Sequence, residues 1–161
     1  MKAAQPWIGL LARLILGGVL LVAGALKVGT PDKSQMTVRA YEILPVGLAN
    51  LIGLALPFVE VALGLLLIVG AATRITAIFG GLIMFVFIIA IAQAWARGLT
   101  IDCGCFGGGG VIAKEDTRYL QVILRDFGIL LTALYLIRFP VTKFSLDKNP
   151  TTSEMEKSDV E

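Results

Sequence analysis

Long apolar runs alternate with short polar breaks along this chain, and four of the runs match the thickness of a bilayer. A helix needs roughly 20 mostly apolar residues to cross the hydrocarbon core. Residues 7–26, 50–72, 75–95 and 120–139 meet that length. Helices are the economical spanning form for such runs, because lipid offers a free backbone no hydrogen-bond partner. Trp7, Trp95, Tyr119 and Phe139 fall near the ends of these runs, where interfacial aromatics belong. The pattern predicts an all-α membrane protein, a four-transmembrane-helix bundle over residues 1–143.

The breaks are uneven. Thr73 and Arg74 make a tight turn between the second and third spans. The connection over residues 27–49 is longer and has its own pattern. Met36, Ala40, Ile43 and Leu44 share one helical face that ends at Pro45, which predicts a short interfacial helix. A glycine-rich linker holding the two cysteines joins the third and fourth spans. Beyond Lys143 the chain turns polar, and residues 144–161 are expected to form a disordered cytoplasmic tail.

Composition narrows the chemistry. Charged residues make up 16% of the chain, against about 25% in a soluble domain. The net charge of +2 supplies no basic face for nucleic acid. Histidine is absent, which removes the commonest general base and metal ligand. What remains is thiol, carboxylate, Arg and Lys chemistry, or that of a bound cofactor.

Those thiols sit together. The run from Asp102 through Cys103, Gly104, Cys105 and Phe106 to Gly107–Gly110 holds the only two cysteines, one residue apart. A disulfide across a single residue closes a small ring. It is a poor staple, because longer loops give more stabilisation, and a strained exposed disulfide is of the easily reduced kind. Cys103 and Cys105 are therefore candidate catalytic residues of a redox dithiol. Gly104 allows the tight backbone, and the glycines after it let a partner chain approach. Arg97 or Lys114, folded back, would favour a thiolate nearby. Two readings compete with the redox one: a two-thiolate Cu(I) or shared zinc site, and a glycine loop with incidental thiols.

With four spans, the 27–49 connection and the cysteine loop share one face of the membrane and the termini share the other. Basic residues are spread over both sides, so their count does not orient the chain. Disulfides persist in oxidising compartments. The cysteine loop is accordingly expected outside the plasma membrane of a bacterial cell, with both termini in the cytoplasm.

Charges inside the spans need an explanation. Glu60 falls near the middle of the second span, where an ionisable group is costly and either paired or functional. Arg13 in the first span and Arg125 in the fourth are the expected partners. The pair would either lock helix register or, with Glu60, Arg13, Arg125 and Arg97 as cofactor-binding candidates, serve a proton path or contact a bound quinone. Pro57, one turn before Glu60, frees a backbone carbonyl in the same region. Gly17, Gly18, Gly24, Gly64 and Gly70 suggest close helix packing.

Several of these stretches together resemble one family. They are Arg97-Gly98-Leu99 with Asp102-Cys103-Gly104-Cys105-Phe106-Gly107, Arg13 with Gly17, Ala23-Gly24 and Lys27, Ala40-Tyr41 with Leu44-Pro45, Pro57 with Glu60 and Gly64, and Arg125-Asp126. The chain is similar over about residues 7–139 to DoxX-like membrane proteins, in the branch that includes the methylamine-utilisation protein MauE. The resemblance implies a four-helix membrane protein tied to thiol redox, working with a thioredoxin-fold partner. By analogy with four-helix enzymes that make disulfides, electrons would pass to a quinone. The expected function is thus a membrane thiol–disulfide redox protein exchanging through Cys103 and Cys105 with an extracytoplasmic thioredoxin-like protein. The alternative is a non-catalytic accessory subunit of a larger membrane complex.

Overall fold

A computed structural model describes residues 5–104, 108, 110–111, 118–140, 142 and 145–146. Helix α1 spans Gln5–Val28, α2 Pro31–Ala40, α3 Val46–Val69 and α4 Thr73–Ala96. Two short strands follow, β1 at Ile101–Asp102 and β2 at Gly110–Val111, paired antiparallel. Helix α5 spans Tyr119–Arg138. Helices α1, α3, α4 and α5 are each long and apolar enough to cross a membrane. The expected all-α four-span bundle is the observed architecture, with α2 as the expected short helix between the first two spans.

The helices bury their small and polar residues beside a few large apolar ones. In α1 the buried stripe is Gly9, Ala12, Arg13, Leu16, Gly17, Leu20, Ala23, Gly24 and Lys27, spaced three or four apart. Trp7, Leu11, Leu14, Val22 and Leu26 face outward. Lipid is as apolar as Leu, so large side chains gain nothing by turning inward. Small residues gain close backbone contact. A Cβ on Gly64 would lie 2.9 Å from the Gly17 carbonyl oxygen, and one on Gly24 would lie 2.7 Å from that of Pro57. These two approaches set α1 against α3 antiparallel. Gly81 against Ala133 and Trp95 against Tyr119 do the same for α4 and α5. The termini of the bundle therefore lie at one end, and α2 with the strands at the other.

Helix α2 packs on the first half of α3, and a broken backbone bond explains how. Pro57 carries no N–H, so the Gly53 carbonyl loses its partner one turn back. Ser34 Oγ of α2 donates to that carbonyl at 2.6 Å. The approach is close, since a Cβ on Gly53 would lie 2.6 Å from Gln35 Cα. This contact fixes which face of α2 is buried. Ser34 and Thr37 point inward, while Met36 and Ile43, on the apolar face of the expected interfacial helix, are exposed. The apolar periodicity of α2 therefore misses its packed face, which polar groups define by satisfying α3. Ser34→Ala should destabilise the protein by about 1–3 kcal/mol, because the Gly53 carbonyl would stay buried without a donor. Ser34→Thr should recover part of that loss if the smaller gap accepts the methyl group. Thermal unfolding in detergent measures both.

At the opposite end, Arg13 is buried and its Nη1 donates to Thr142 Oγ1 at 2.7 Å. Ser145 Oγ donates to the Gly70 carbonyl at 2.8 Å. The rest of the expected 144–161 tail, apart from Leu146, lies outside the described residues.

Candidate functional site

Cys103 is held by a relay of hydrogen bonds that begins on α4. Gln93 Nε2 and Arg97 Nη1 donate to the Tyr41 carbonyl at 3.0 and 3.3 Å. Arg97 also pairs with Glu42 at 2.9 Å, on the exposed surface. These contacts clamp the turn after α2, where Glu42 takes a φ of 51°. Tyr41, so fixed, donates its hydroxyl to the Cys103 carbonyl at 3.1 Å. From the other side, Tyr119 of α5 accepts the Ile101 N–H at 3.0 Å and donates to the Leu99 carbonyl. Tyr41, Ile91, Ala94, Ile101 and Tyr119 form a buried cluster on which Cys103 packs.

Gly104 is required by two observations. Its φ is +65°, and a Cβ there would collide with Thr37 of α2. Asp102 Oδ1 accepts the Gly104 N–H at 3.1 Å, closing a tight turn over the cysteine. The expectation that Gly104 lets the backbone bend is met, with α2 as the surface it bends against. Cys105 and Lys114 lie outside the described residues, and so does any bond between the two cysteines.

Cys103 is half-buried and lines a cavity of about 30 Å³. The cavity runs into the bundle between α2, α3 and α4, past Ser34, Thr37 and Tyr41 to Lys27 and Phe87. Lys27 is almost fully buried in the last turn of α1. Its Nζ donates to both carboxylate oxygens of Glu60, at 2.8 and 2.9 Å, and lies 5.2 Å from the Phe87 ring centroid.

The partner of Glu60 is therefore Lys27, where Arg13 and Arg125 were expected. Arg13 is engaged at the far end of the bundle with Thr142. Arg125 donates through Nε and Nη2 to Asp126 Oδ1, at 2.9 and 2.8 Å. The reason lies in the backbone. Gly29 and Pro31 end α1 and start α2, and α2 folds back over the end of α1. Lys27 is covered and cannot extend to the headgroups, so it turns to the nearest carboxylate. The four residues expected to hold a cofactor thus occupy four places: Glu60 under the cysteine cavity, Arg13 at the terminal end, Arg125 beside Asp126, and Arg97 on the turn that steadies Tyr41. Arg97 belongs to the cysteine site through that turn.

Sequence reasoning missed Lys27 because a lysine at the end of an apolar run ordinarily snorkels to the interface. The signal was there in the spacing. Arg13, Gly17, Leu20, Gly24 and Lys27 follow one another at steps of four and three, on the stripe of α1 that carries Gly17 and Gly24.

A family model described as methylamine utilisation protein MauE matches residues 5–139. The chain belongs to the MauE family. It is 32% identical over 133 residues to the methylamine utilization protein MauE of Paracoccus denitrificans, covering 82% of this chain and 68% of that one. The MauE protein of Methylorubrum extorquens is 32% identical over 134 residues, covering 83% and 70%. That of Methylophilus methylotrophus is 31% identical over 142 residues, covering 85% and 71%. No solved structure matches the chain. Family membership and the four apolar helices make this a multi-pass membrane protein. The MauE match ends at Phe139, so it takes in the cysteine strand, Lys27 and Glu60 together.

Proposed function

We propose that this protein is a membrane thiol–disulfide oxidoreductase whose Cys103–Cys105 pair exchanges with a thioredoxin-fold partner outside the cytoplasm. The names of its MauE relatives support a role in methylamine utilisation. The observation that carries the reading is the seating of Cys103. A thiol on an incidental glycine loop needs no support, yet here Tyr41 bonds the Cys103 carbonyl, Tyr119 bonds the Ile101 N–H two residues before it, and Gln93 and Arg97 hold the Tyr41 backbone in place. Such a shell holds a reacting atom in register. Disulfides persist in oxidising compartments, and on that ground the reading has the cysteine end of the bundle outside and the termini in the cytoplasm.

A membrane quinone would supply the oxidant. Beside the cysteine strand an open groove of about 490 Å³ lies between Trp95, Arg118, Tyr119, Leu120, Gln121 and Leu124. Its size suits a small aromatic ligand. Trp95 and Tyr119 stack there with centroids 6.4 Å apart. Tyr119 also bonds the backbone leading into β1, so the groove and the cysteine strand share a side chain.

The test is the redox state of the pair in membranes. Thiols are reduced, the reductant is removed, and a mass-tagged alkylating reagent counts free thiols over time with and without added quinone. Two thiols after reduction, falling to none on reoxidation and faster with quinone, is the expected result. Thiols that stay reduced, or never become accessible to reductant, would instead favour an accessory subunit with a static loop. Reoxidation that ignores quinone would remove that acceptor alone.

A further inference from the structure

The cavity beneath Cys103 leads to a buried cation, and we propose that Lys27 governs the reactivity of the Cys103 sulfur across it. The inference rests on the exchange reading and adds a positioning residue to it.

Exchange begins when a partner thiolate attacks the sulfur of Cys105. A bond forms between the partner and Cys105, the Cys103–Cys105 bond breaks, and the electron pair leaves on the Cys103 sulfur. That sulfur must carry a negative charge while it packs among Tyr41, Ile91, Ala94, Ile101 and Tyr119. An apolar setting opposes such a charge. The cavity supplies what the cluster lacks. At about 30 Å³ it exceeds the roughly 10–15 Å³ that a single water needs, and among its mostly apolar lining it holds four polar side chains, those of Lys27, Ser34, Thr37 and Tyr41.

The hydroxyls on those walls have their protons committed. Ser34 donates to Gly53, Thr37 to the Lys33 carbonyl at 2.8 Å, and Tyr41 to the Cys103 carbonyl. They offer lone pairs, which cannot stabilise a thiolate. Lys27 has three N–H donors, of which Glu60 takes two, leaving one for the cavity side. A water that accepts from Lys27 can donate to the sulfur.

The charges also have the right order. Lys27 lines the cavity and Glu60 lies behind it, so the pair turns its positive end toward Cys103. Asp126 of α5 interacts with Lys27 from a further side and is itself paired with Arg125. Near Cys103, Asp102 is engaged with the Gly104 N–H, and the Arg97–Glu42 pair lies on the exposed surface beyond Tyr41. Lys33 of α2 is exposed, and Thr37 takes only its carbonyl.

The experiment uses Cys105→Ser protein, in which Cys103 is the one thiol, and follows its alkylation by N-ethylmaleimide against pH with mass spectrometry. Lys27→Met with Glu60→Leu removes both charges and should move the midpoint to higher pH, slowing alkylation near neutrality by about three- to tenfold. Glu60→Gln leaves the cation unneutralised and should move the midpoint the other way. Lys27→Arg keeps the charge and should leave it close to the parent. A role in packing alone would scale the rate at every pH without moving the midpoint. One shared midpoint for the parent and the charge-altered variants would overturn the proposal. If Glu60→Gln fails to fold, the double variant carries the test, since it holds no uncompensated charge. Alkylation requires no partner, so a shifted midpoint in a protein that never cycles its disulfide would remove the exchange function and leave this inference in place.

Discussion

Glu60→Leu should destabilise the folded bundle by about 3 kcal/mol, and Lys27→Met by more, toward about 5 kcal/mol. The two residues form a buried ion pair with side chains 0% and 7% exposed. Removing one partner strands the other in a region that cannot solvate it. The two single losses differ because of Asp126. Without Glu60, the Lys27 ammonium still has the Asp126 carboxylate within electrostatic reach. Without Lys27, Glu60 loses the cation that bonds and neutralises it, and Arg125 is already paired with Asp126, with its side chain 36% exposed. Replacing both Lys27 and Glu60 with apolar residues should recover most of the loss, since an apolar pair of similar volume often matches a buried ion pair. Unfolding of the purified protein in mixed detergent micelles, followed by circular dichroism, measures all three. A double variant as unstable as either single one would mean that the pair is not what holds α1 to α3 here. A stable double variant whose cysteines no longer reoxidise would give the carboxylate a chemical role that slower thiol chemistry alone does not explain.

The architecture was legible in the sequence because lipid imposes a simple rule. Length and hydropathy mark a span whatever its neighbours are, and the four runs fell within a few residues of α1, α3, α4 and α5. The cysteine motif was legible for a similar reason: two thiols one residue apart are local, as is the glycine between them. Pro57 was read correctly as freeing a carbonyl, and that carbonyl is the one Ser34 takes. What could not be read was the pairing of charges across helices. Glu60 had three cations in reach of a plausible bundle, and only the fold-back of α2 over the end of α1 decides for Lys27. Likewise the inward face of α2 follows from Ser34 and Thr37 meeting α3 and the cysteine turn, a choice its own apolar pattern does not contain.

Cys103→Ser should trap a partner protein as a mixed disulfide, and Cys105→Ser should trap much less. In either variant the resolving thiol is gone, so an intermediate that forms will persist. The asymmetry comes from where Cys103 sits. Its carbonyl is tied to Tyr41, its side chain lines an interior cavity, and the turn after it is wedged against Thr37. An outside sulfur needs a straight line of approach to the sulfur it attacks, and these contacts close most directions to Cys103. Cys105, beyond the Gly104 turn, is then the residue that meets the partner; Cys103 leaves when a partner thiolate attacks, with the partner's second thiol releasing Cys105, and Cys103 resolves the mixed disulfide when exchange runs the other way. Non-reducing gels of membranes from each variant read the outcome. A reducible higher band in Cys103→Ser, weak or missing in Cys105→Ser and absent when both cysteines are replaced, is the expected pattern. Equal bands from both single variants would mean that the partner reaches either sulfur and that the seating of Cys103 does not set the order of attack. No band from either would count against exchange with a protein thiol. The double replacement should meanwhile unfold at nearly the parent temperature, because Tyr41 and Tyr119 bond backbone groups at and before Cys103 and serine nearly keeps the side-chain volume.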